Sequence, residues 1–191
     1  MKELYIPVTI PNIEYVQQEL LNAIDHDYKL DVKPHAFSYK QDYMEKHCPV
    51  FMSWLTPRLK LPVRIYRYYV TPPKQSLGIH IDGAKPTVPF GLSIPVAGAG
   101  KTYHSYYETD PENLEVRYPD GYLGGTHPKD VSKLKKIAEL EITRPYVMNN
   151  EILHGVCNDS DNYRVMFTVR WLIHSTIGRN IEECMDVTGM L

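Results

Sequence analysis

From Val63 onward this 191-residue chain is a succession of short β-branched and aromatic runs: "VRIYRYYV", "LGIHI", "FGLSIPV", "KTYHSYYE", "RPYVMNNEILHGV" and "YRVMFTVRWLI". Pro, Gly, Asn and Asp separate them. Branched and ring side chains pack well on a pleated surface, and the punctuating residues end a strand rather than extend it. The C-terminal two-thirds is therefore mostly strand. The preceding region is different: "NIEYVQQELLNAIDH" sets Ile13, Val16, Leu20 and Ile24 at helical spacing, with Asn12 after Pro11 as the N-cap. A second helical region spans Tyr39 to Leu59 and is interrupted by Pro49 and Pro57. Helices first and many short strands after predict a mainly β fold with flanking helices. A double-stranded β-helix, or jelly roll of cupin-like shape, is the expected architecture.

At this length the chain is read as one domain, residues 1–191, with 1–60 a mostly helical buttress and 61–175 the β core. Within the core, "KDVSKLKKIAEL" reads as a helical interruption, with Val131, Leu134 and Ala138 on one side and its lysines solvated on the other. Thr109 to His127, rich in Gly, Pro and Asp, reads as a long loop near the mouth of a site.

Hydrophobic residues at 43% and charged residues at 23% are ordinary for a globular protein. No apolar run approaches the roughly 18–20 residues that span a bilayer. The start, "MKELYIPVTIPN", lacks the apolar stretch of a secretory signal, so the expected compartment is the cytoplasm. Cys48, Cys157 and Cys184 lack paired spacing and are read as reduced packing residues. A net charge of −2 gives no global attraction to nucleic acid, and neither nucleic-acid nor membrane partners are expected.

"LGIHIDG" carries the chemistry. In a strand residues i and i+2 face the same way, so His80 and Asp82 point together while Ile81 faces the opposite side, and Gly83 permits a turn. A strand-end His–Asp hydrogen bond is the plain structural reading of such a pair. A third ligand changes the balance. His154 in "NNEILHGVCN" ends another strand-like run 74 residues downstream. Two histidines and a carboxylate form the facial set that holds a divalent first-row metal and leaves its opposite positions open; non-haem Fe(II) is the usual occupant and zinc the alternative. Next, "YRVMFTVRW" places Arg164, Met166, Thr168 and Arg170 on one face and Val165, Phe167 and Val169 on the other. An arginine directed into a covered interior requires an anionic partner, best a carboxylate.

"HID", "HGV" and "NYRVMF", in this order and with Arg164 ten residues after His154, resemble the Fe(II)/2-oxoglutarate-dependent oxygenase superfamily over Tyr66 to Trp171. The resemblance implies a double-stranded β-helix in which His80, Asp82 and His154 bind Fe(II) and Arg164 holds the distal carboxylate of 2-oxoglutarate. It further implies consumption of O2, formation of succinate and CO2, and hydroxylation of an amino acid, a peptide or a protein side chain. The tail "HGVCNDSDNYRVMFTVRW" looks most like the aspartyl/asparaginyl β-hydroxylase and free-proline hydroxylase group. Relatives there often carry a basic residue on the strand after the metal pair, where this chain has Gly91 and Ser93. The Arg164-x5-Arg170 spacing is similar to that of the nucleic-acid demethylase branch.

Tyr66, Tyr68 and Ser93 are the candidates for a second contact to 2-oxoglutarate, because their hydroxyls donate to carboxylates. The other tyrosines of this chain, which has 15 against four Phe, are read as sheet packing with hydroxyls at the rim, and His104 as a structural strand residue. Two other classes fit parts of the pattern: a different metal-dependent cupin-type enzyme, which generally shows His-x-His and a nearby Glu, and a non-catalytic β-barrel binding module whose His and Asp are structural.

Overall fold

The computed structural model describes residues 4–30, 32–59, 61–82, 87–117 and 125–172. In chain order the elements are β1 (Tyr5–Pro7), α1 (Ile13–Asn22), β2 (His35–Tyr39), α2 (Gln41–His47), α3 (Pro49–Leu55), β3 (Val63–Thr71), β4 (Gln75–His80), β5 (Thr87–Ala97) and β6 (Thr102–Glu108). They continue with β7 (Leu114–Arg117), β8 (Gly125–Pro128), β9 (Lys135–Glu141), β10 (Tyr146–Asn149), β11 (His154–Asn158) and β12 (Arg164–Leu172). Gly83, Cys184 and residues 173–175 of the expected core lie outside the described residues.

Every strand pairing is antiparallel. A six-stranded sheet has the order β1-β10-β5-β12-β3-β2, and a four-stranded sheet has the order β4-β11-β6-β9. From β3 to β6 and again from β9 to β12 the strands alternate between the two sheets, which makes this a double-stranded β-helix. Residues opposite each other in register point to the same face, so the pairs Val169–Tyr66, Phe167–Tyr68 and Val165–Val70 define the outer face of the large sheet. That face meets the helices: Val16, Leu20, Met44, Phe51 and Leu55 form one core with Tyr68, Leu92, Ile94, Phe167 and Trp171. The inner face of the large sheet meets the small one, where Tyr146, Met148 and Met166 pack with Leu140 and Ile142. The large sheet is thus covered on both sides, and this is why its strands read as nearly continuous apolar runs.

Pro49 opens α3 at a position where its missing N–H costs nothing, so the two expected helical segments meet at that residue. Asn12 does occupy the N-cap of α1, but with φ 52° and no side-chain cap bond.

Besides its helices, the segment 1–60 contributes β1 and β2, the two edges of the large sheet. Two expectations differ from the structure. "KDVSKLKKIAEL" is not a helix: Val131–Lys133 make one 3-10 turn, and Lys135–Glu141 become β9, an edge strand paired with β6. Its lysines suit an edge that must not recruit further strands. Finally, Thr109 to His127 is not one loop, because β7 and β8 pair within it and Thr126 bridges Ile81, which sets the hairpin beside the end of β4; residues 118–124 lie outside the described residues.

Cys48 and Cys157 are free thiols, Cys48 in the helical core. No helix among the described residues is long and apolar enough to cross a membrane.

Candidate metal centre

β4 and β11 are neighbours in the small sheet, and their register sets His154 opposite His80. Asp82 follows β4 by two residues, and its backbone N–H donates to the carbonyl of Asn150 (3.1 Å), so both chain segments that carry the ligands are tied at this point. One ligand atom from each of His80, Asp82 and His154 falls within 4.8 Å of the others.

The tautomers are fixed as metal ligation requires. Nδ1 of His80 donates to the carbonyl of Gly78 (2.7 Å) and Nδ1 of His154 to that of Ile152 (2.8 Å). Carbonyls only accept, so each Nδ1 carries a hydrogen and each Nε2 keeps a lone pair for a cation. Burial pushes the His154 imidazole down to about 4, which keeps it neutral at neutral pH. Burial also opposes charge on His80, but the Asp82 carboxylate, 3.1 Å from its Nε2, outweighs this and raises it. His80 Nε2 and Asp82 Oδ1 thus face each other across the position that a shared cation would take. Burial disfavours the Asp82 anion too, yet the Arg170 guanidinium holds the carboxyl well below the usual carboxylate range. His80 and Asp82 remain about a quarter exposed, whereas His154 is buried, so among the described residues the cluster opens at His80 and Asp82. At that opening the ring of His127, on β8, lies 5.8 Å from that of His80.

Deeper between the sheets lies a second polar group. Arg164 is 3% exposed, and its Nε has no hydrogen-bond partner among the described residues. His104 projects inward from β6, with its ring stacked on His154 and its buried Nε2 also unpartnered. The hydroxyls of Thr71, opposite Arg164, and Thr102, two residues before His104 on the same face, are unpartnered as well. Arg164 and the Thr71 and Thr102 hydroxyls, joined by His104 when its Nε2 carries the hydrogen, are buried groups suited to an anion, because an unmet buried donor costs about 1–3 kcal/mol. Burial lowers Arg164 only to about 10, so it stays cationic, while burial first, and then the neighbouring His154 ring and the Arg164 guanidinium, hold His104 well below its usual value and hence neutral. The turn before Arg164 is itself anchored: the Nδ2 of buried Asn158 donates to the carbonyls of Thr71, Pro72 and Asn162 at 2.8–3.0 Å.

Of the other expected site residues, Ser93 is on the inner face beside Thr168 and Tyr146. Tyr66 and Tyr68 are not at the site. Both belong to the outer, helix-facing core, where the Tyr68 hydroxyl donates to the carbonyl of Leu20 (2.9 Å). Their strand parity, paired with Val169 and Phe167, turns them away from the ligand cluster. His104, read from the sequence as a structural strand residue, instead faces the interior with a buried Nε2 unpartnered among the described residues, on the same face of β6 as Thr102 and Tyr106. Arg170, placed by strand alternation on the face of Arg164, pairs with Asp82.

No family model matches the chain, and no curated protein does. Solved structures do share its fold. The non-heme alpha ketoglutarate dependent carbocyclase SnoK from nogalamycin biosynthesis superposes with a TM-score of 0.55 at 12% identity, over 90% of this chain and 80% of that one. The epimerase SnoN, solved with Fe3+, alpha ketoglutarate and nogalamycin RO, gives 0.55 at 11% identity, over 90% and 79%. The non-heme monooxygenase ThoJ gives 0.51 at 14%, over 90% and 74%. At such identities the likeness is one of fold.

Proposed function

We propose that this chain is an Fe(II)- and 2-oxoglutarate-dependent dioxygenase that hydroxylates an amino acid, a peptide or a protein side chain. The observation that carries the reading is the pairing of two sites in one interior. A His–Asp–His cluster has both imidazoles committed to the ligand tautomer, and a buried cationic cradle around Arg164 lies behind it. A ligand suited to both would bring metal-chelating oxygens at one end and a carboxylate at the other. 2-Oxoglutarate has that form, and the fold neighbours SnoK and SnoN are described with it.

In this account His80, Asp82 and His154 hold the iron. Arg164 receives the distal carboxylate of 2-oxoglutarate, with His104, Thr71 and Thr102 as further donors. Ser93 and Thr168 line the wall between the two ends. Bound there, iron and 2-oxoglutarate supply oxidative chemistry in which O2 is consumed, succinate and CO2 form, and one oxygen atom enters the substrate. The chain's own part is orientation and exclusion of water: the apolar inner wall of Tyr146, Met148 and Met166 keeps solvent from the buried end, and the half-open side near His127 admits the substrate.

The test is succinate formation from 2-oxoglutarate, measured with and without Fe(II) over a panel of amino acids and peptides. Iron-dependent succinate that His154→Ala abolishes supports the reading. Equal turnover by iron-stripped wild type and by the variant would sink it.

A further inference from the structure

Arg170 reaches Asp82 from the opposite sheet. It lies on β12 with its side chain 14% exposed, and its Nη2 donates to Oδ2 of Asp82 while Oδ1 of the same carboxylate faces His80. A free carboxylate beside a cation can turn so that both oxygens bind, which uses up a second coordination position. Here the outer oxygen is already engaged by a charge-assisted bond, among the strongest a side chain makes.

The neighbouring strand makes room for this grip. A Cβ placed on Gly91 of β5, directly opposite Arg170 in register, would lie 2.9 Å from both Cδ and Nε of Arg170 and 3.1 Å from its Cζ. The two 2.9 Å contacts are closer than a Cβ approaches another heavy atom and the third is tight, and all three involve the side chain of Arg170 rather than any backbone. The strand that lacks a basic residue of its own thus accommodates one arriving from β12. Gly91 has no positive φ to explain its identity; close approach explains it.

We propose that Arg170 is a positioning residue of the metal centre, which fixes Asp82 as a one-oxygen ligand by holding its outer oxygen, and that Gly91 is the position that admits it. This rests on the metal reading of the His80–Asp82–His154 cluster. It assigns Arg170 no contact with the metal. Partners that orient a ligand in this way commonly change metal affinity by about 10–100-fold when removed.

The test uses the full chain and Co(II), whose visible absorption reports coordination number. Wild type, Arg170→Gln, Arg170→Lys and Gly91→Ala are titrated with the metal alone, and folding is followed by circular dichroism and thermal melting. Expected are Co(II) binding by wild type and a loss of about 10–100-fold with an altered band in Arg170→Gln. Arg170→Lys, which keeps a cationic donor, recovers most of the affinity. Gly91→Ala reproduces the Arg170→Gln spectrum in a protein that melts like wild type, and it stands in for Arg170→Gln should that variant fail to fold. Wild type and Gly91→Ala with the same affinity and the same band would overturn the inference and leave the metal centre intact. A folded wild type that binds no Co(II) would overturn the metal reading and this inference with it.

Discussion

The ring of His104 stacks on that of His154, with centroids 4.9 Å apart and planes 19° from parallel. One imidazole is in the candidate ligand set; the other carries a buried Nε2 with no partner and lies within the field of Arg164. The stack therefore joins the metal end of the interior to the anion cradle.

His104→Ala should weaken 2-oxoglutarate binding to the metal-loaded protein by about 10–100-fold, the equivalent of one hydrogen bond to a charged group. His104→Gln, which keeps an N–H donor, should retain most of the affinity. Calorimetric titration with 2-oxoglutarate checks both. Equal binding by all three proteins would remove His104 from the cradle.

Gly98 should tolerate no side chain. Its φ is +67°, and a Cβ there would sit 2.0 Å from the carbonyl oxygen of Tyr163 and 3.0 Å from Cα of Arg164. Backbone strain of this kind costs on the order of 1–3 kcal/mol before the overlap is counted. Gly98→Ala should lower the unfolding midpoint and weaken 2-oxoglutarate binding, because the backbone that moves carries Arg164. Gly100, with φ +100° and open space around it, is the control: Gly100→Ala is strained but pushes on nothing, so its 2-oxoglutarate affinity should equal that of wild type.

Tyr68→Phe should separate the helical core from the site. It removes the bond to the Leu20 carbonyl in a fully buried position, so a loss of about 1–3 kcal/mol is expected in denaturant unfolding. Metal and 2-oxoglutarate affinities should stay at wild-type values. A large rise in the 2-oxoglutarate dissociation constant would return Tyr68 to the site.

The shared face of His80 and Asp82 was legible in the sequence because it is local: a two-residue step on a strand settles it, whereas His154, 74 residues on, comes opposite His80 only through the pairing of β11 with β4. Tyr66 and Tyr68 were not legible for the opposite reason. A sheet covered on both faces has apolar residues on both, so alternation in "VRIYRYYV" cannot tell which face meets the helices. β9 was misread because Lys, Glu and Ala favour helices, and Val131, Leu134 and Ala138 fall at helical spacing. Pairing with β6 overrode that local preference, and at an edge strand with one solvated face only Ala138 and Leu140 are partly covered. The grip of Arg170 on Asp82 depends on two sheets facing each other, which no local pattern reports.

The most direct test of the account is anaerobic addition of Fe(II) and 2-oxoglutarate to wild type, Asp82→Ala and Arg164→Met, read as the visible charge-transfer band of a metal-chelated 2-oxo acid. Wild type should show a band that requires both additions. Asp82→Ala should show none, and Arg164→Met one that appears only at much higher 2-oxoglutarate concentration. Folded, iron-loaded wild type that shows no band would contradict the account.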